Sequence, residues 1–356
     1  MGEEKGMKKI SEILREQGLD AGAVTGLDPR NGKKKLRLNI IALGDVGTTM
    51  LIGLRLLGGD VLESIGICDL NEANLARLEM EMNQIRYPGP EEARTAKETA
   101  EIIRKSEEHD ESEDAAYPML PPVRAIPQEQ VCDCDVLVFC ASRGVPAIGA
   151  KGDVRMAQLE TNRTLVRQYG ALAAEAEFSG LVAVVSDPVD PLAKVFVRSS
   201  GLDARQFRGY GLGVMNARAS YYAERDDRFS AYLTEGRAFG PHGRDLVIAN
   251  SIEHYDDGLS RELTDLTVNA NQIVRRLGYK PYIAPALSSA ALSILLTLRG
   301  QWHYSSLWFG NKDGGGAFLG IRNRLTDRGN EFEDLMVEDA LYERIRGAYM
   351  HLRELE

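Results

Sequence analysis

From residue 38 to residue 186 the apolar positions fall into short continuous runs separated by longer amphipathic stretches. Leu38-Asn-Ile-Ile-Ala-Leu43, Leu62 to Asp69, Asp135-Val-Leu-Val-Phe-Cys140 and Leu181 to Ser186 have strand length and few polar breaks, as expected of strands covered on both faces. Val46 to Leu57, Asn71 to about Arg86 and roughly Val154 to Glu177 read as helices. Strand, glycine turn, helix and strand make a βαβ unit, so this part of the chain predicts a doubly wound α/β sheet.

The flanks follow other patterns. Residues 1–36 hold an amphipathic segment, Met7 to Gln17, with Ile10, Ile13 and Leu14 on one face, and then a Gly-, Asp-, Pro- and Lys-rich linker. They read as an N-terminal extension. At about residues 88–122 the composition turns to Glu, Lys, Asp, Ser and Pro, including Glu107-Glu-His-Asp-Glu-Ser-Glu-Asp114, which is too polar to order itself by burial. This stretch is expected to be an exposed, partly disordered insertion. After Asp187-Pro-Val-Asp190 longer helices mix with short strands, which puts a first domain at 37–187 and a second at 188–356. Tyr304–Phe309 and Ala317–Ile321 predict a hairpin around Gly314-Gly-Gly316, and a final helix is expected from about Glu331 to Leu355.

Composition narrows the function. With 53 acidic and 43 basic residues the net charge is −10, which argues against nucleic acid and anionic membranes as partners. The four cysteines (Cys68, Cys132, Cys134, Cys140), together with the lack of a secretory leader or an apolar run near about 18 residues, predict a reduced cytoplasmic location. Cys132-Asp-Cys134 has no second pair and reads as strand-edge sequence. His109, His254, His303 and His351 lack ligand spacing, so no metal site is expected.

Two motifs carry chemistry. Ala42-Leu-Gly44-Asp45-Val46-Gly47 lies between the first strand and its helix, where small residues let backbone N–H groups approach a pyrophosphate; the first glycine of that fingerprint is Ala42 here. Asp69 ends the next strand 25 residues after Gly44, placed to accept both ribose hydroxyls of an adenosine. That carboxylate would repel a 2′-phosphate, so NAD is preferred to NADP. The second motif is His242, 24 residues after Arg218 and 87 after Arg155. A histidine and two arginines can handle a 2-keto or 2-hydroxy acid: one arginine grips the carboxylate, the other polarises the carbonyl, and the imidazole moves the proton.

Together with Cys140-Ala-Ser-Arg143, Arg155-Met-Ala-Gln-Leu-Glu-Thr-Asn162, Ser186-Asp-Pro-Val-Asp190, Gly209-Tyr-Gly-Leu-Gly-Val-Met-Asn-Ala-Arg218, Gly240-Pro-His-Gly243 and Tyr282-Ile-Ala-Pro-Ala286, these segments resemble the lactate/malate dehydrogenase family from about Leu38 to Leu352. The resemblance implies a Rossmann NAD-binding domain followed by a mixed α/β substrate domain, and assembly as a homodimer or homotetramer. It implies cofactor contacts at Gly44, Asp45, Val46, Gly47, Asp69, Ala141 and Asn162. Arg155 corresponds to a mobile-loop arginine that polarises the substrate carbonyl, Arg218 to the bidentate carboxylate grip, and His242 to the acid/base. Blander readings are a solvated helix-start arginine for Arg155, a surface salt bridge for Arg218 and a structural histidine for His242.

Two positions depart from the family pattern. Met215 stands where an aspartate would support the histidine, and a thioether offers neither its charge nor a comparable hydrogen bond. A one-residue slip would put Asn216 there but would misplace Arg218. Asp187 stands where an asparagine would donate to the substrate oxygen. The exchange suggests that Asp187 takes over part of the missing charge, supporting His242 or pairing with Arg155.

The specificity loop, 142–154, holds Arg143 and Lys151, either of which reads a second carboxylate or is plain surface charge. Tyr282-Ile-Ala-Pro-Ala286 resembles the malate side of the family, or is simply a helix start with proline in its first turn. The expected activity is therefore NAD-dependent interconversion of a malate- or lactate-like 2-hydroxy acid and its 2-keto acid. Alternatives are an NAD-binding pseudoenzyme or regulator of the same fold, and a diverged dehydrogenase for another carbonyl compound.

Overall fold

A nine-stranded sheet organises the chain, and the order of its strands reflects which runs are apolar on both faces. In this computed structural model residues 6–87, 119–143, 154–311 and 315–355 are described, with the side chains of 154–158 outside that set. Strands β2 (Leu36–Ile41), β3 (Leu62–Cys68), β4 (Val123–Ala125), β5 (Val136–Phe139), β6 (Leu181–Val184) and β7 (Phe207–Gly209) are parallel. A hairpin, β10 (His303–Gly310) and β11 (Gly316–Thr326), joins β7 antiparallel, and β12 (Gly329–Phe332) closes that edge, giving the order β12-β11-β10-β7-β6-β5-β2-β3-β4. The sheet runs on through Asp187, since β7 adds a sixth parallel strand beyond it.

Helices cover both faces. Helix α2 (Asp45–Leu57) buries Met50, Leu51 and Leu54, and α3 (Glu72–Gln84) buries Leu75, Leu78 and Met82 at helical spacing, with Asn71 capping its first turn. On the other face lie α4 (Val154–Glu175) and α5 (Val189–Ser200), whose Leu192, Ala193 and Phe196 pack with Leu137, Phe139 and Val182. The short α1 (Glu12–Arg15) belongs to the N-terminal segment. Ile10, Ile13 and Leu14 turn their shared face into a core with Phe309, Leu319, Leu341 and Ile345, and strand β1 (Met7–Lys9) pairs with β13 (Met336–Glu338).

The second half builds the site. Helix α6 (Leu212–Ala223) follows β7; then come α7 (Tyr232–Glu235), the β8 (Arg237–Phe239) and β9 (Val247–Ala249) ribbon, and α8 (Asp257–Arg276). Next is a π-helical stretch, Pro285–Leu292, running into α9 (Ser293–Leu298). The last helix, α10 (Asp339–Glu354), starts eight residues later than the expected Glu331, because 329–332 and 336–338 pair as strands with β11 and β1. The acidic stretch from 88 to 118 and loop residues 144–153, Lys151 among them, lie outside the described residues.

A buried polar belt marks the junction of parallel and antiparallel strands. Arg208 on β7 is fully buried and bonds Ser305 (3.2 Å), Asn330 (2.6 Å) and Asn323. His303 sits in the same belt, its Nε2 2.8 Å from Thr297 Oγ1. Burial and the Arg208 charge push the His303 pKa down to about 3, so it is neutral in the folded protein.

Candidate active site

The turn from β2 into α2 is shaped for an anion. Ala42 holds φ at 74°, a left-handed conformation that costs a non-glycine residue on the order of 1 kcal/mol. Its geometry is kept by the Asp69 carboxylate, which accepts from Leu43 N (2.6 Å) and Asn71 N (2.9 Å). Each oxygen of that carboxylate retains a further lone pair for a hydroxyl donor. Gly44 caps α2 with nothing near the place where a Cβ would stand, and a Cβ at Gly47 would collide with the Ala42 carbonyl oxygen. The first-turn N–H groups of α2, at Asp45, Val46 and Gly47, have no carbonyl within the helix to bond and sit at the positive end of its dipole. Among the exposed charges at this mouth, Asp45 pairs with Lys280 Nζ at 2.9 Å.

Asn162, fully buried on α4, knits the next part together. Its Oδ1 accepts from Arg143 N at 2.8 Å, and its Nδ2 donates to Asp187 O at 3.2 Å and Ser142 Oγ at 3.3 Å. The start of the loop after β5 and the segment containing Asp187 are thereby tied to one side chain, and the buried Ala141 before that loop accepts from Ser186 Oγ at 2.7 Å. The Asp187–Pro188 peptide is cis.

The charge of Asp187 acts on two neighbours, the buried Asp190 and the partly buried Cys140. Asp190 is pushed up to about 7 by desolvation, against the lowering effect of a Ser306 hydrogen bond and with further raising by Asp187. The Cys140 thiol is pushed up to about 12 by burial and by the same charge. All four cysteines are free thiols, and Cys134 lies in the turn before β5. The side chain of Arg155 lies outside the described residues.

His242 occupies the connection between β8 and β9, after Gly240 at φ 84°. Its Nδ1 lies 3.0 Å from the carbonyl oxygen of Gly211, the residue that caps α6. A carbonyl can only accept, so Nδ1 carries the hydrogen and Nε2 is the basic nitrogen of the neutral ring. Gly211 permits the approach: a Cβ there would stand 2.7 Å from His242 Cβ and 3.2 Å from Val189 Cγ2. His242, the cap of the helix bearing Arg218, and the segment following Asp187 therefore converge on one glycine.

The sequence predicts Asp187 as support for His242 or partner of Arg155; the atom that Nδ1 meets is a backbone carbonyl. Met215 is fully buried in the α6 core face with Ala219, Ala223 and Phe229, and Arg218 Nη1 lies 3.6 Å from its sulfur. Asn216 accepts from the Tyr232 hydroxyl at 2.9 Å. Ser289, which sequence reasoning missed, donates from Oγ to Gly211 O at 2.8 Å and accepts from Val214 N at 2.8 Å. Nothing in the small-residue run Pro285–Leu292 sets it apart from helix interior. Among the described residues one group of possible metal ligands comes together, Glu235, Glu253 and His254 at the surface, where His254 Nδ1 pairs with Glu235 at 3.2 Å.

No family model matches the chain. It is 25% identical over 203 residues to a malate dehydrogenase of Sorangium cellulosum (strain So ce56), a match covering 50% of this chain and 64% of that one. An L-lactate dehydrogenase of Treponema denticola is 29% identical over 131 residues, covering 35% and 39%. The matches thus span less than two thirds of these relatives' length. Among solved structures, a lactate dehydrogenase from a Medee basin deep-sea metagenome library superposes with a TM-score of 0.66 at 17% identity, covering 91% of this chain and 98% of that one. The minor L-lactate dehydrogenase of Enterococcus mundtii gives 0.63 at 19% identity with the same coverage. Both share the fold.

Proposed function

We propose that this chain, a divergent relative of the lactate and malate dehydrogenases, is an NAD-dependent oxidoreductase that interconverts a 2-hydroxy acid and its 2-keto acid. The observation that carries the reading is the 3.0 Å bond from His242 Nδ1 to Gly211 O, which orients the imidazole at the cap of the helix bearing Arg218 and leaves Nε2 as the proton-exchanging atom. In the oxidising direction His242 Nε2 takes the hydroxyl proton; in the reducing direction the imidazolium returns it. Arg218 grips the carboxylate with its planar fork, and Arg155 has the role of polarising the carbonyl. NAD, when bound, supplies the hydride acceptor or donor. Gly44, Asp45, Val46 and Gly47 would hold its pyrophosphate, Asp69 its ribose, and Ala141 and Asn162 would border the reactive ring.

The substrate side chain is read by the loop containing Arg143 and Lys151, which favours a malate-like dicarboxylate. Asp187 replaces a neutral donor with a charge that supports His242 or pairs with Arg155. Among the described residues no helix is long and apolar enough to cross a membrane. Ile52, Leu56 and Leu57, exposed along α2, supply an apolar face for a homodimer or homotetramer.

A second reading, a dinucleotide-binding protein without turnover, is favoured by buried Met215, which brings no charge to offset an imidazolium. One experiment separates them. Purified protein with NADH and a panel of 2-keto mono- and dicarboxylates should oxidise NADH, fastest with a dicarboxylate. Tight NADH binding with no oxidation of any panel member would sink the dehydrogenase reading. Asp187→Asn tests the charge: changed turnover or substrate preference is expected, and an unchanged profile removes Asp187 from the site.

A further inference from the structure

We propose that Ser289 is a positioning residue for His242: it fixes the Gly211 carbonyl that holds the imidazole in its Nδ1–H tautomer. This rests on the reading of His242 as the acid/base group. A glycine carbonyl is the least restrained acceptor a backbone offers, because its peptide can adopt conformations closed to other residues. Gly211 has that freedom and, as the cap of α6, no side chain with which to satisfy the first-turn N–H groups of its own helix.

Ser289 supplies both deficits from another element. Its hydroxyl accepts from Val214 N, the third residue of α6, as a cap side chain would, and donates its single proton to Gly211 O. Gly211 O then has two donors for its two lone pairs, Ser289 Oγ–H and His242 Nδ1–H. The residue is 2% exposed, so no water competes for either bond.

The approach is built in. Ser289 lies within the π-helical stretch, and a Cβ at Gly213 would stand 2.6 Å from Ser288 O and 3.1 Å from Ser289 Cα, so α6 comes this close only through a glycine. Short π segments recur at functional sites because they turn side chains that a regular helix would not. Here the turned side chain is the link between the helix bearing Arg218 and the imidazole. With Met215 in place of a carboxylate, tautomer selection falls to a main-chain oxygen and to the serine that aims it.

The test reads the tautomer directly. Full-length protein labelled with 15N-histidine gives long-range 1H–15N correlations for its five histidines, and His242→Gln assigns the signal of interest. Wild type should show His242 mainly as Nδ1–H in its neutral form. Ser289→Ala should lower the Nδ1–H to Nε2–H ratio roughly two- to twelvefold, the range set by loss of one neutral hydrogen bond, and Ser289→Thr should restore it. A wild-type ratio in a folded Ser289→Ala protein overturns the proposal. If the alanine variant fails to fold, Ser289→Cys, nearly the same size with a weak donor, carries the same comparison. The result is independent of turnover: a shifted ratio in a protein that reduces no keto acid leaves the positioning role standing and removes the dehydrogenase reading instead.

Discussion

Gly211 and Gly47 illustrate how single glycines partition the site. A methyl at Gly211 would stand 2.7 Å from His242 Cβ and push the ring away from its carbonyl, whereas a methyl at Gly47 would strike Ala42 and distort the turn between β2 and α2. Gly211→Ala is therefore expected to lower kcat/KM about a hundredfold, the cost of a misplacement near 1 Å, while leaving NADH affinity unchanged. Gly47→Ala should instead abolish NADH binding in a fluorescence titration, and turnover with it. Loss of NADH affinity in Gly211→Ala as well would mean that the two glycines act only through folding. Both glycines were visible in the sequence as motif positions, as were His242, Arg218 and Asp69. The partner of His242 was not, because a backbone acceptor has no side-chain signature and its register is set by how α6 meets the β8–β9 connection.

Elements were legible where burial is symmetric. The strands buried on both faces are continuous apolar runs, and α2, α3 and α4 fall within a few residues of expectation. Near residue 331 the sequence predicts helix, with Leu335 and Val337 at roughly helical spacing to Leu341, but 329–332 pair with β11 and 336–338 with β1, so tertiary pairing wins over local spacing. The same pairing draws in the N-terminus. Ile13 is 2% exposed against α10 and the hairpin, so Ile13→Ala should cost about 2–4 kcal/mol in denaturant unfolding, a large-to-small change in a packed core. A loss under about 0.5 kcal/mol would instead fit a surface residue in a separate extension.

Across the whole molecule two buried titratable groups oppose each other. Asp190 has a folded pKa near 7 against 3.8 for the free group, so between those values the folded state holds the extra proton and stability falls as pH rises. His303 has a folded pKa near 3 against 6.5, so over that interval the unfolded state holds the extra proton and stability rises with pH. The two slopes have opposite sign and overlap from about pH 4 to pH 6.5, which flattens the stability profile. Asp190→Asn should steepen the rise with pH and stabilise the protein by up to about 4 kcal/mol above pH 7. His303→Gln should leave a profile that declines from acid to neutral pH. Unfolding midpoints measured from pH 4 to 8 check both, and parallel profiles for the variants and wild type would refute the opposition.

The carbonyl of Gly211 has one more implication. Mutation exchanges side chains and leaves the main chain in place, so an acceptor made of backbone is inherited by every descendant that keeps the path of the turn. Once the imidazole leans on such an acceptor, position 215 is released to drift, and methionine there is compatible with a histidine that still points the same way. In such a lineage the orientation of the imidazole can outlast the side chain that would otherwise hold it.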